Sequence, residues 1–485
     1  MYGISRRGLL QSGVAAGVLA ATGLPLKAQT RGGKLTAGLS GANTSDTWDA
    51  RTHTDLFMIA SAQGAVFDSL TEVAADGSLV GELAESWGSA DAKTWTFILR
   101  QGVTFHNGKS FGADDVIASL QMHLGEESKS AAKPIVSAIE TMTKVTDHQV
   151  QFVLASANAD FPYLMSDYHI LMYPAGQIDE AIANGIGTGL YQVTSFDPGV
   201  RMTASRYIDH YKGDSAGFFD EIEYIAINDN IARMNALMTG QVDTINRIDL
   251  KTESLLRANP ALRIQEVTGN QHYTMPMLTN VAPYNDINVR KALKYGINRQ
   301  ELVDKILLGH GAVGNDTPIG PANQYYHAEM EQLEYDPDQA KFYLQQAGFD
   351  SIDIDFSASN AAFEGAVDAG QLFQASAAAS GININVIQEP ADGYWDNVWR
   401  VKPFSACYYS GRATEDWMFS LAYQEGAPWN DSQWDSDDSA RFQQLLLLAR
   451  AEMDSDTRQA QYFEMQEILR DEGGVLVPMF ANYVQ

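Results

Sequence analysis

Trp95-Thr96-Phe97-Ile98-Leu99-Arg100-Gln101-Gly102-Val103-Thr104-Phe105-His106-Asn107-Gly108, closely followed by Gly112-Ala113-Asp114-Asp115-Val116, spells a strand, a loop and a helix start in succession. In the strand Trp95, Phe97 and Leu99 point to one face and Thr96, Ile98 and Arg100 to the other, the period of two that a pleated backbone imposes. Gly102–Gly108 reads as loop. Gly112 then caps a helix from Ala113, with Asp114 and Asp115 in the first turn, where the helix dipole favours acids.

Outward from this stretch the alternation of elements continues. Lys34–Leu39 reads as a first strand, and Phe67–Trp87 alternates short apolar runs with turns such as Ala75-Asp76-Gly77. Asn298-Arg299-Gln300-Glu301 is a capping-box variant, with Gly309 just past the helix it opens. Asp336-Pro337-Asp338-Gln339 places Asp at the N-cap and Pro at the first helical position, and Gly348 ends that helix. Ala440–Met453 and Asp456–Arg470 read as a helical pair ahead of the apolar strand Val475–Phe480. Strands and helices are interspersed without a strict βαβ period, which predicts α/β lobes with mixed sheets rather than a barrel.

The chain has 485 residues, with 33 Lys+Arg against 61 Asp+Glu and a net charge of −28. Such a field repels phosphate backbones and anionic lipid surfaces, so no nucleic-acid partner is expected. The single cysteine, Cys407, excludes an intramolecular disulfide and a Cys-rich zinc site, and its apolar surroundings predict a buried thiol. Arg6-Arg7 precede an apolar run from Gly13 to Leu24, too short for the roughly twenty residues of a membrane span. Residues 1–28 therefore read as an export signal. The twin arginine resembles a Tat signal, and an ordinary secretory signal that contains Arg-Arg is the alternative. Either places the mature chain, with its charge of −31 once Arg6, Arg7 and Lys27 are lost, outside the cytoplasm. No later segment approaches 18 uninterrupted apolar residues, which predicts a soluble mature chain.

Local motifs for chemistry are missing. Gly102–Ser110 is one residue too long for a phosphate loop and carries bulky Phe105 and His106 where bare backbone is needed. Gly185-Ile186-Gly187-Thr188-Gly189 ends in Leu190 instead of the last glycine of a dinucleotide fingerprint and reads as a flexible turn. Asp435-Ser436-Asp437-Asp438 lacks the Gly and Glu of a calcium loop. The nine histidines are scattered, and no Gly-x-Ser-x-Gly elbow occurs. No metal, cofactor or catalytic residue is predicted. The segment Tyr394–Trp434 instead holds five of the eight tryptophans, interleaved with Arg412, Glu415, Asp416, Asn430 and Asp431, a composition suited to the wall of a small-molecule cleft.

Leu83-Ala84-Glu85-Ser86-Trp87, the Trp95–Gly108 run and Ala113-Asp114-Asp115-Val116 closely resemble bacterial extracellular solute-binding proteins of family 5, the dipeptide-, oligopeptide- and nickel-binding components of ABC importers. The match continues in order through Gly187-Thr188-Gly189-Leu190-Tyr191, Val289-Arg290-Lys291-Ala292-Leu293, Ile297-Asn298-Arg299 and Tyr335–Lys341. The resemblance implies a two-lobed clamshell with an extra middle domain: lobe I from 29–66, 188–268 and 475–485, domain II from 67–187, lobe III from 269–474. It implies a monomeric periplasmic protein that closes on a small polar solute, peptide-like or an amino-acid derivative, and delivers it to an ABC permease in the inner membrane. An exported hydrolase acting on a bulky polar substrate is the alternative.

Two departures from the family pattern matter. Peptide binders of the family carry an Asp-Pro pair whose Asp holds the peptide amino terminus, and Gly411-Arg412-Ala413-Thr414-Glu415-Asp416-Trp417 has none, which argues against a free-amine peptide. Relatives also run on past a strand like Val475–Phe480, so a C-terminal truncation at Gln485 is expected. The predicted ligand contacts are Arg412, a planar cation for a carboxylate or phosphate, and Asp416, to orient it or to meet a cationic end of the solute. Trp417, Trp395 and Trp429 are predicted as flat walls and Asn430 as a paired donor and acceptor. In the competing reading Arg412 and Asp416 form a structural ion pair beneath packed aromatics.

Overall fold

The computed structural model describes residues 31–485 apart from 75, 76, 126, 127, 129, 428 and 436; the export signal predicted for 1–28 lies outside the described residues. The architecture is α/β with several mixed sheets, as expected. A five-stranded sheet runs in the order Thr244–Ile245, Lys34–Leu39, Glu221–Ala226, Arg201–Arg206, Tyr191–Asp197, parallel across the first three and antiparallel beyond. A fully antiparallel sheet holds Ala84–Gly88, Thr94–Leu99, Gln149–Leu154 and Ile139–Thr146. A third sheet has the order Gly311–Val313, Val475–Val484, Glu266–Pro276, Cys407–Tyr409. Ile352–Ala358 and Ile382–Gln388 pair in parallel through the crossover helix Ala366–Ala377.

Separate cores sit under these sheets. One gathers Ala37–Phe67 with Tyr191–Ile222, one spans Leu70–Met172, and two lie within Met275–Ala481. Trp95, Phe97 and Leu99 are buried in the second, as their alternation requires. Asp115 reaches back to the Gly112 N–H at 2.9 Å, Asn298 accepts from Glu301 N–H, and Asp336 accepts from Asp338 and Gln339, so the three predicted caps form.

Three details differ from the sequence reading. The last strand extends to Val484 and pairs with Glu266–Pro276 and Gly311–Val313, so most of it lies against the stretch expected for lobe III while Val484 and Gln485 bond to Ile248 and Gln265 of the stretch expected for lobe I. Its apolar residues from Val475 to Ala481 leave both faces buried, which only a central strand satisfies. Leu171, Tyr173 and Ala181, placed in domain II by sequence, pack in the first core instead. Finally, Gly187-Thr188-Gly189 is pinned rather than flexible. A Cβ on either glycine would collide with backbone at Ala65–Phe67, and the His106 N–H and Nε2 lie 2.9 Å from the Gly187 and Gly189 carbonyls. The loop that mimics a phosphate cradle therefore serves to dock two segments together.

Candidate functional site

Cys407–Tyr409 is the edge strand of the third sheet, paired with His272–Thr274. As an edge it offers atoms to a cavity of about 340 Å³ that also touches the short helix Tyr394–Asn397 and the turn at Trp429. Trp395, Trp399, Tyr408, Tyr409 and Trp429 make its walls, with Arg412 at one side. Trp395 and Trp399 stand at 83° with centroids 5.8 Å apart, and Trp399 and Trp429 at 83° and 6.2 Å. Trp395 and Trp429 remain 40% and 42% exposed, an unusual state for the largest apolar side chain and one that a bound solute would relieve.

Gly411 sets the course of the chain here. Its φ is +78°, and a Cβ would collide with Asn270, whose amide Nδ2 donates to the Arg412 carbonyl at 3.1 Å. Arg412 then projects its guanidinium 5.6 Å from the Trp417 ring centroid and 5.9 Å from that of Trp429. Among the described residues no carboxylate lies within 4.0 Å of it. Burial pushes its pKa down, and Tyr168 and Asp167 partly offset that. Asp167 is itself committed to the His169 ring at 2.7 Å.

Asp416 is elsewhere. Thr414 caps the helix Glu415–Ala422, so Arg412 lies before its first turn and the helical neighbourhood of residues four apart does not apply. The buried Asp416 carboxylate accepts from Arg450 Nε at 2.9 Å, and Arg450 also reaches Ser420 and Gln424. Burial raises the Asp416 pKa to about 6 against the pull of Arg450. Neither proposed role for Asp416 at Arg412 is seen. Asn430 also turns inward: its Nδ2 donates to Asp435 at 2.7 Å and its Oδ1 accepts from Trp434 N–H, fixing the turn. Of the six predicted residues, Arg412, Trp395 and Trp429 line the cavity, and Trp417 backs Arg412 from behind.

The sequence reading named Asp431 within the aromatic segment but not among the predicted contacts. This buried carboxylate sits behind the walls, its Oδ2 accepting from Trp399 Nε1 at 3.2 Å and lying 3.0 Å from the Tyr409 hydroxyl. Burial raises its pKa to about 6 against the hydrogen bonds from Trp399 and Tyr409. The signal was present in Asn430-Asp431, but sequence cannot show which member of the pair faces the aromatic cluster.

Among the described residues the cavity lining brings together no nucleophile–base pair. Cys407 reaches the cavity, but burial pushes its thiol well above the ordinary range, away from the nucleophilic thiolate. The contact of Ser130 with His123 at 2.6 Å is buried outside the cavity. Among the described residues no group of three or more His, Cys, Asp or Glu side chains could hold a metal ion, and no helix is long and apolar enough to cross a membrane.

Residues 78–431 match the model of the bacterial extracellular solute-binding proteins, family 5 Middle. The chain belongs to this family. Among curated relatives, this family-5 chain is 29% identical over 306 residues to the nickel-binding periplasmic protein of Escherichia coli K12, covering 59% of the chain and 56% of that protein. It is 28% identical over 341 residues to di/tripeptide-binding protein 2 of Pseudomonas aeruginosa, covering 64% of each. The aligned part thus spans between half and two thirds of these relatives. The fold matches HbpA2 of Haemophilus parasuis with a TM-score of 0.81 at 20% identity, over 93% of this chain and 95% of that one. It matches the substrate-binding protein CtaP of Listeria monocytogenes with a TM-score of 0.80 at 20% identity, over 94% of both.

Proposed function

We propose that this protein is the periplasmic solute-binding component of an ABC importer, which captures a small polar solute and hands it to an inner-membrane permease without chemical change. The observation that carries this is Arg412: a largely buried cation without a carboxylate partner, held between two indoles at the rim of an aromatic-walled cavity. Leaving a charge in that state is costly unless a ligand anion completes it. Relatives named for nickel, di- and tripeptides and heme support cargo binding as the family's business, in keeping with a protein that needs no catalytic residue. The hydrolase alternative has no nucleophile–base pair in the cavity to support it.

In this reading the lobes are 29–66 with 188–268, a middle domain near 67–187, and a third lobe that runs from 269 through the last strand. Closure of the lobes on the solute is driven by the solute's greater affinity for the closed state. Residues 1–28 direct export, by the Tat route if the twin arginine is read as such. Native mass spectrometry of freshly purified protein tests the proposal by detecting a retained small molecule. Small-angle scattering before and after its removal should show a less compact protein without it; identical dimensions and no retained or rebound solute would refute the reading.

A further inference from the structure

Two ionisable groups border the cavity. On one side stands the Arg412 guanidinium without a carboxylate within 4.0 Å among the described residues. Behind Trp399 and Tyr409 stands Asp431, buried, its Oδ1 without a hydrogen-bond partner and with no Lys, Arg or His pairing with it among the described residues. Asp431 does not itself line the cavity; Trp399 and Tyr409 stand between. An indole N–H and a phenol directed at a carboxylate have more electron-rich ring faces, and ring faces attract cations through their quadrupole. When ionised, Asp431 thus acts on the cavity as enhanced ring potential rather than as a hydrogen-bond acceptor.

The ring angles say which cation suits. Trp399 stands at 83° to both Trp395 and Trp429, and Tyr408 is tilted 59° from Trp395. A flat solute can stack on one such wall and must meet the next edge-on, whereas a tetrahedral group presents a methyl to each. A primary ammonium needs hydrogen-bond acceptors on desolvation, and the described lining holds no carboxylate, only the side chains of Tyr408, Tyr409 and Ser410 among its aromatic walls. A quaternary ammonium has no proton to satisfy. From these observations, and resting on the transport reading above, we infer that the cavity is a cage for a fully methylated ammonium group and that Arg412 takes a carboxylate on the same solute, so the cargo is a betaine-type zwitterion.

The test uses the full-length mature protein freed of retained solute, with tryptophan fluorescence and calorimetric titration. The probes are γ-trimethylammoniobutyrate, its isostere with a neutral tert-butyl head and the same carboxylate (5,5-dimethylhexanoate), γ-aminobutyrate and choline. The trimethylammonium carboxylate should bind about tenfold or more tightly than the isostere and the primary amine, the scale of a desolvated cation–π site. Arg412→Ala should bring its affinity down to that of choline. Tyr409→Phe, which keeps the ring but loses the hydroxyl's contacts with Asp431 and the Trp429 carbonyl while Trp399 still holds Asp431, should weaken the trimethylammonium probe several-fold more than the isostere, a difference that a merely misfolded variant would not give. Equal binding of the isostere or the amine, or no binding of the trimethylammonium carboxylate at millimolar concentration, would overturn the inference. If a tripeptide or a nickel–histidine complex closes the protein while these probes do not bind, the cage is refuted and the transport reading stands. If no solute is retained and nothing closes the protein, both fall.

Discussion

Arg412 and Arg450 sit within one aromatic segment and its packing helix, yet the structure gives them opposite jobs, and exchanging each for Ala separates them. Arg412→Ala removes two cation–π contacts, each about 0.5–2 kcal/mol when desolvated. It also removes a buried guanidinium with no carboxylate partner, whose desolvation is unfavourable, so the two effects oppose each other and the unliganded protein should change by only about 1 kcal/mol. A solute carboxylate would lose its charged partner, at about 2–5 kcal/mol, or from about 30-fold to several-thousand-fold in Kd. Arg450→Ala instead strands Asp416. Breaking a buried pair costs about 3–5 kcal/mol. Protonation offers an escape: with the folded pKa at about 6 it costs only about 1 kcal/mol at pH 7, so with the lost Ser420 and Gln424 contacts the low end of that range is expected. Urea melts should therefore show a large stability loss for Arg450→Ala and little for Arg412→Ala, while titration with the retained solute should show the reverse order in affinity. Normal affinity in Arg412→Ala, or a stable Arg450→Ala protein with lost binding, would refute the assignment.

The remaining predictions test other parts of the molecule. Burial lifts Glu415 from 4.5 to about 7, so its folded state holds a proton more tightly than the unfolded chain; the stability this gives is complete below about pH 4.5 and is lost as pH rises through about 7. Glu415→Gln keeps an acceptor for Tyr325 N–H and should gain on wild type by up to about 3 kcal/mol between acid and neutral pH in urea melts; a gap that does not move with pH would contradict this. The buried ion pair of Arg458 with Asp160 at 2.6 Å ties the second core to the helix Ser455–Glu472. Asp160→Asn should loosen that contact at a cost of about 3–5 kcal/mol and enlarge the scattering radius, and an unchanged radius and stability would show the pair to be dispensable. Replacing Arg6 and Arg7 by Lys should strand precursor in the cytoplasm, whereas undiminished periplasmic yield would point to the general secretory route.

Much of the fold was legible because its signals are local. The alternation of Trp95, Phe97 and Leu99 needs only the pleat, and the caps at Asn298 and Asp336 need only side chains three residues from the N–H groups they accept. The terminal strand shows the limit. Val475–Val484 is apolar enough to be central in any sheet, and nothing in its own residues says whether Lys34–Leu39 or Glu266–Pro276 is its neighbour. Gly187 and Gly189 show another, because a glycine needed for close backbone approach and a glycine needed for freedom look alike until the approaching backbone is seen.

The site divides along the same line. Large aromatics concentrated in 394–434 announced a wall, since few environments accommodate so many rings outside a core. Which charges face that wall depends on contacts between segments distant in sequence. Asp416 is claimed by Arg450, 34 residues away, through the packing of Glu415–Ala422 against Ala440–Ala451. Its loss from the site leaves Arg412 without an acid near it in sequence to neutralise it. Asp431 then assumes the electrostatic part expected of Asp416, but through Trp399 and Tyr409 rather than by touching a solute. That displacement changes what the cavity recognises. A carboxylate in the wall would select an ammonium by its protons, whereas a carboxylate behind the wall selects a cation by its charge and shape alone.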